Sequence, residues 1–135
     1  MKLVIAGSRE WGYKHLDKIY QFMRTLPPDT EIVSGRARGV DSFAETMALR
    51  LNMKTTVFRA DWKHYGHSAG FRRNIEMINY ADRVVCFWDG QSKGTAHTIK
   101  VSKRQFKLWK IFYQDERVES FDQFFQTHDK QEPLC

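Results

Sequence analysis

Four short stretches of this chain gather unusual residues, and three of the four carry types that hold anions. They are Gly7-Ser8-Arg9, Ser34-Gly35-Arg36-Ala37-Arg38-Gly39-Val40-Asp41, Asp61-Trp62 and Asp89-Gly90-Gln91-Ser92-Lys93-Gly94-Thr95. Three of them combine glycine with a small hydroxyl residue, and two run into an expected helix start. Glycine lets the main chain approach a phosphate closely, and the free amides of a helix N-terminus then solvate it. Arg9, Arg36, Arg38 and Lys93 supply counter-charge, and Trp62 lies in a loop where an indole can stack on a base or cover the sheet edge. Arg73 follows on a helix that starts near Gly70, and its guanidinium can grip a phosphate through two parallel hydrogen bonds.

Competing chemistries lack their patterns. There is no GxGxxG run. Gly7 to Lys14 resembles a phosphate-binding P-loop, but Tyr13 separates Gly12 from Lys14 and no Ser or Thr follows to hold magnesium. His64, His67 and Asp61 do not fix a metal geometry, so no metal is expected. No GxSxG elbow is present, and Cys86 sits mid-strand as a small core residue. Trp11, in its own loop, faces the same two alternatives as Trp62.

The elements that must position these loops alternate. Short apolar runs at 3–6, 31–34, 55–58, 84–88 and 107–113 read as strands. Helix-period segments cover 15–26, 40–51, a stretch through Ile75 and Ile78, and about 95–104. Residues 60–70 show no period and read as a loop. Continuous apolar strands alternating with helices predict a doubly wound α/β domain, with five parallel strands in the order 3-2-1-4-5 and helices on both faces. In such a sheet ligands bind beyond the carboxyl ends of the strands, where the loops named above fall. A short helix is expected over 118–127, with Phe121, Phe124 and Phe125 packed against the domain or a partner.

The chain has 135 residues, of which 41% are hydrophobic, room for a single core. Residues 1–115 are expected to form the domain and 116–135 an acidic extension. No apolar run approaches the roughly 20 residues that cross a bilayer, and the opening apolar stretch is too short for a signal peptide. Two cysteines give no disulfide framework, so a cytoplasmic setting is expected. Residues 1–110 hold 20 Lys and Arg against 10 Asp and Glu, while 111–135 hold 2 against 6. A body so basic favours an anionic partner.

The set LVIAGSR (3–9), VSGRARGVD (33–41), ADW (60–62), AGFRRNIEM (69–77) and ADRVVCFWDGQSKGT (81–95) resembles the YspA/YpsA-related branch of the SLOG superfamily, over roughly residues 1–112. Arg36 departs from the glycine usual there. The resemblance implies a Rossmann-like fold with a pocket for nucleotides or nucleotide-derived ligands. Its relatives include LOG phosphoribohydrolases, sensor domains for ADP-ribose-like signals and DNA-processing proteins. Arg73-Asn74-Ile75-Glu76-Met77 is similar to the LOG helix motif, which adds Asn74 to the candidate ligand residues. Asp89 to Thr98 is similar to the LOG glycine loop, but His97 and Thr98 replace its two glutamates. Asp41, Glu76 or Asp89 would have to stand in, and Asp41 and Glu76 are the candidate catalytic residues.

The expectation is capture of a nucleotide-derived small molecule, as sensor or sink, with no cofactor. The alternative is a nucleotide N-glycosidase, which needs a positioned carboxylate. A third class, a DNA-processing or nucleic-acid-binding protein, would use the basic segment 100–110, and weak, non-specific nucleic-acid association is expected from the charge of the body. No membrane partner is expected, and homo-oligomerisation stays open.

Overall fold

The computed structural model describes residues 1–12 and 15–121. Strands β1 (Lys2–Gly7) and β4 (Arg83–Trp88) lie side by side in the middle of the sheet, each buried at its four inner positions. On β1, Leu3 and Ile5 point into one apolar layer and Val4 and Ala6 into the other, the two-residue alternation of a strand covered on both faces. Helices α1 (Leu16–Arg24) and α2 (Val40–Arg50) fill the first layer with Ile19, Met23, Val40 and Ala44. On the other side α4 (Ala69–Tyr80) contributes Met77 and Ile78, while α5 (Lys93–Arg104) lays Ile99 and Val101 against the same layer.

Strands β2 (Glu31–Ser34), β3 (Thr55–Val57) and β5 (Leu108–Tyr113) complete the expected parallel order β3-β2-β1-β4-β5. The sheet is not purely parallel, however. A sixth strand, β6 (Val118–Ser120), pairs antiparallel with β5. Lys18 of α1 holds the turn between them by donating Nζ to the carbonyls of Tyr113, Gln114 and Asp115. The side chain of Asp115 tightens the same turn by accepting the Arg117 N–H at 2.8 Å. A helix over 118–127 therefore does not begin at Val118, and 122–127, like Phe124 and Phe125, lies outside the described residues. Phe121 packs against the α4/α5 layer.

The stretch 60–70 is not a plain loop. It holds a single helical turn, α3 (Trp62–Tyr65), capped by Asp61, whose side chain accepts the His64 N–H, and then a 3-10 turn over 66–68. Each of these turns is too short to show a hydrophobic period. No helix among the described residues is long and apolar enough to cross a membrane.

Candidate ligand cleft at the carboxyl edge of the sheet

Because β1 and β4 run parallel, their carboxyl ends open at the same edge, and the helices diverge there to opposite faces. A cleft of about 440 Å3 fills the gap. Gly7 and Arg9 reach it from β1, Asp41 from α2, Arg73 and Asn74 from α4, and Asp89, Ser92, Gly94 and Thr95 from the turn into α5.

Arg73 is held in a fixed pose. Its Nη1 donates to the Gly35 carbonyl at 2.7 Å and its Nε to Asn74 Oδ1 at 3.0 Å. Asn74, 5% exposed, turns its amide nitrogen to the Gly94 carbonyl and to His97 Nδ1, both at 3.4 Å. It works as a bracket between α4 and the first turn of α5, with its hydrogen-bonding groups already engaged. Burial pulls the Arg73 guanidinium below its ordinary range; the Asp41 carboxylate opposes that and the like charge of Arg9 adds to it.

Asp41 is 4% exposed. Burial pushes its carboxyl up to about 6, against the N–H groups of Ala37, Gly35 and Gly7 and the Arg73 charge, which favour the carboxylate. Near neutrality a small part of it is protonated. Asp89 behaves oppositely. Burial raises its carboxyl, but the N–H groups of Ser92 and Gln91, at 2.8 and 2.9 Å from Oδ1, outweigh it and hold it below the usual range. These bonds shape the turn that delivers α5 to the cleft. Ser92 precedes that helix without a side-chain cap bond, and the N–H groups of its first turn have no acceptor within the helix.

Two expected ligand residues lie outside the cleft lining and make contacts within the scaffold. Ser8 is fully buried and absent from the cleft lining; its Oγ accepts the Asp89 N–H at 3.0 Å, which ties the two loops together. Gly39 opens α2 with φ +82°, and a Cβ there would stand 2.5 Å from the Ser8 carbonyl oxygen. Glu76, although three residues from Arg73, is exposed and lines no part of the cleft. The buried side of α4 is set by Asn74, Met77 and Ile78, and Glu76 falls outside it. Trp11 belongs to the core, edge-on to Phe87 with ring centroids 5.7 Å apart.

Gly35, Arg38 and Trp62 line a second cavity of about 330 Å3, which shares Arg9, Ala37 and Arg73 with the cleft. Sequence reasoning missed Arg59 in this second cavity, and Thr98 and Glu10 in the first. The usable signal for Arg59 was its place just after a strand end. Thr98 is buried and donates Oγ1 to the Gly94 carbonyl at 3.2 Å, while His97 turns away to stack on Phe71 at 4.2 Å. Among the described residues no group of His, Cys, Asp and Glu could hold a metal ion.

The family model described as YAcAr, YspA, cpYpsA-related SLOG family matches residues 1–65. The Gene 61 protein of Mycobacterium phage D29 is 32% identical over 111 residues, covering 76% of this chain and 89% of that protein. The structure of DNA processing protein A (DprA) from Streptococcus pneumoniae superposes with a TM-score of 0.69 at 18% identity, over 83% of this chain and 49% of that one. This chain thus spans about half the length of the pneumococcal protein. DNA processing protein A from Helicobacter pylori, described for its single-stranded DNA binding mode, gives a TM-score of 0.68 at 20% identity, over 97% and 73%. Both structures share the fold.

Proposed function

The chain belongs to the YspA, cpYpsA-related SLOG family, and from that premise we propose that its cleft binds a nucleotide or nucleotide-derived small molecule, as a sensor or a sink. The observation that carries this reading is the pose of Arg73. Two hydrogen bonds fix its guanidinium at the cleft wall beside the like charge of Arg9, which has no carboxylate partner among the described residues. Two like charges lining one cleft favour an anion between them. The uncapped first turn of α5 presents N–H groups to the same space. The volume lies within the range of about 300–1,000 Å3 usual for small-ligand sites.

A catalytic version, hydrolysis of the N-glycosidic bond, would have to rest on a carboxylate of the cleft lining, Asp41, Asp89 or Glu10, since Glu76 stands outside it. Incubation with AMP, ADP-ribose and NAD, followed by mass spectrometry, separates the two. Retention of a ligand unchanged supports the sensor or sink; release of a free base supports the hydrolase. Retention of none of them sinks the small-molecule reading.

Single-stranded DNA is the second reading. It is favoured by Arg38, Arg59 and the half-exposed Trp62 at the same edge, an arginine-and-aromatic surface of the kind that takes bases and backbone. The shared fold with DNA processing protein A points the same way. The basic segment 100–110 is a poorer strand-binding surface, because it runs from a helix into β5 and its Lys107 is bonded to the Ile78 carbonyl at 2.8 Å.

A further inference from the structure

The second cavity differs in chemistry from the cleft it adjoins. Asp41 and Asp89 line the cleft, whereas every charged residue around the second cavity is an arginine. Arg36 is neutralised by Glu45 at 2.9 Å. Arg9, Arg38 and Arg59 have no carboxylate partner among the described residues. Such a cavity repels itself when empty, and an anion relieves the repulsion.

Trp62 adds an aromatic surface. It is 53% exposed, and its ring edge rests over Gly70, where a Cβ would stand 3.2 Å from Cη2. The same Cβ would lie 3.8 Å from Arg73 Nη2, so the indole and the end of Arg73 flank one glycine. With Nη1 and Nε already occupied, Nη2 is the part of Arg73 turned toward this side. An open indole beside guanidiniums is the arrangement that stacks a nucleobase next to its phosphate.

We propose that the two cavities take the two halves of one ligand. A nucleotide occupies the cleft, a second base lies against Trp62, and the linking phosphate sits at the shared wall between Arg9 and Arg73. The ligand class is then a phosphate-linked dinucleotide, for which a mononucleotide is only half the occupant. The inference rests on the nucleotide reading of the cleft, and adds the second half and the role of Arg59, Arg38 and Trp62.

Calorimetry on the full chain with AMP, the phosphorylated dinucleotide pApA and longer adenylate oligomers tests it, with the cytidine series run alongside. The dinucleotide of at least one series should bind at least about tenfold tighter than its mononucleotide, with little gain beyond two nucleotides. Trp62→Ala should remove most of that gain and leave mononucleotide affinity unchanged, Trp62→Phe should restore it, and Arg59→Ala should reduce it. Equal affinity for mono- and dinucleotide overturns the second half while the cleft reading stands. A Trp62→Ala loss shared equally by both ligands overturns it too. Affinity that climbs with each added nucleotide replaces it with an extended strand track. Binding of neither series, with ADP-ribose or NAD still retained, overturns the dinucleotide alone; retention of none of these ligands removes both readings.

Discussion

Arg73 lies across the face of Gly35: its Nη1 donates to the Gly35 carbonyl at 2.7 Å, and a Cβ on Gly35 would stand 2.8 Å from Arg73 Cδ and 2.9 Å from Nε. The glycine after β2 therefore serves the arginine, which needs the space to reach the cleft wall. Loop and helix are far apart in sequence, and this contact joins them.

Gly35→Ala should displace the Arg73 stem, which is flexible enough to yield. Nucleotide affinity should fall about tenfold, while stability changes by less than about 1 kcal/mol. Gly7→Ala makes a contrast, because its Cβ would stand 2.4 Å from the Phe87 carbonyl oxygen and 2.6 Å from Val40 Cγ2. Backbone cannot yield in the same way, and overpacking there should cost about 3 kcal/mol. Urea titrations of both variants, paired with binding isotherms, check the contrast; equal stability losses would refute it.

Gly94→Val should separate binding from folding. A Cβ at Gly94 meets nothing within 4 Å, and the residue lines the cleft. Melting temperature should stay within a few degrees of the parent while ligand binding is lost. Normal binding by this variant would place the phosphate elsewhere.

Asp41 gives a pH signature. Its carboxyl is raised from 3.8 to about 6 in the folded protein, so the folded state holds a proton that the unfolded state has already released. Stability from this group is full below about pH 4 and is lost as pH rises through about 6, a difference on the order of 2–3 kcal/mol. Asp41→Asn should remove that falling component from a stability–pH curve. Anion affinity should also rise as pH drops through about 6, because the carboxylate that repels a phosphate becomes neutral, and the Asn variant should lack the rise.

Glu76→Gln should leave affinity and any turnover unchanged, since the side chain is exposed and outside the cleft. Binding and product assays alongside Asp41→Asn check this. Loss of turnover in the Glu76 variant alone would mean that α4 rotates when ligand binds.

The first five strands and their order were legible because continuous apolar runs and helical spacing are local signals, and parallel crossovers leave few topologies. Glycine and arginine at the strand ends likewise marked the edge of the sheet. β6 was not legible. Val118–Ser120 is exposed at every position, so it carries no apolar pattern, and it becomes a strand through pairing with β5 and the grip of Lys18 on the intervening turn. Ser8 looked like a phosphate ligand by type, yet the adjacency of β1 and β4 places it under Asp89. Spacing alone made Arg73 and Glu76 neighbours on one helix. Which of them lines the cleft depended on the rotation of α4, fixed when Asn74, Met77 and Ile78 pack inward against α5 and the sheet. Local periodicity states that a helix has two sides, but contacts between residues distant in the chain decide which side faces the cleft.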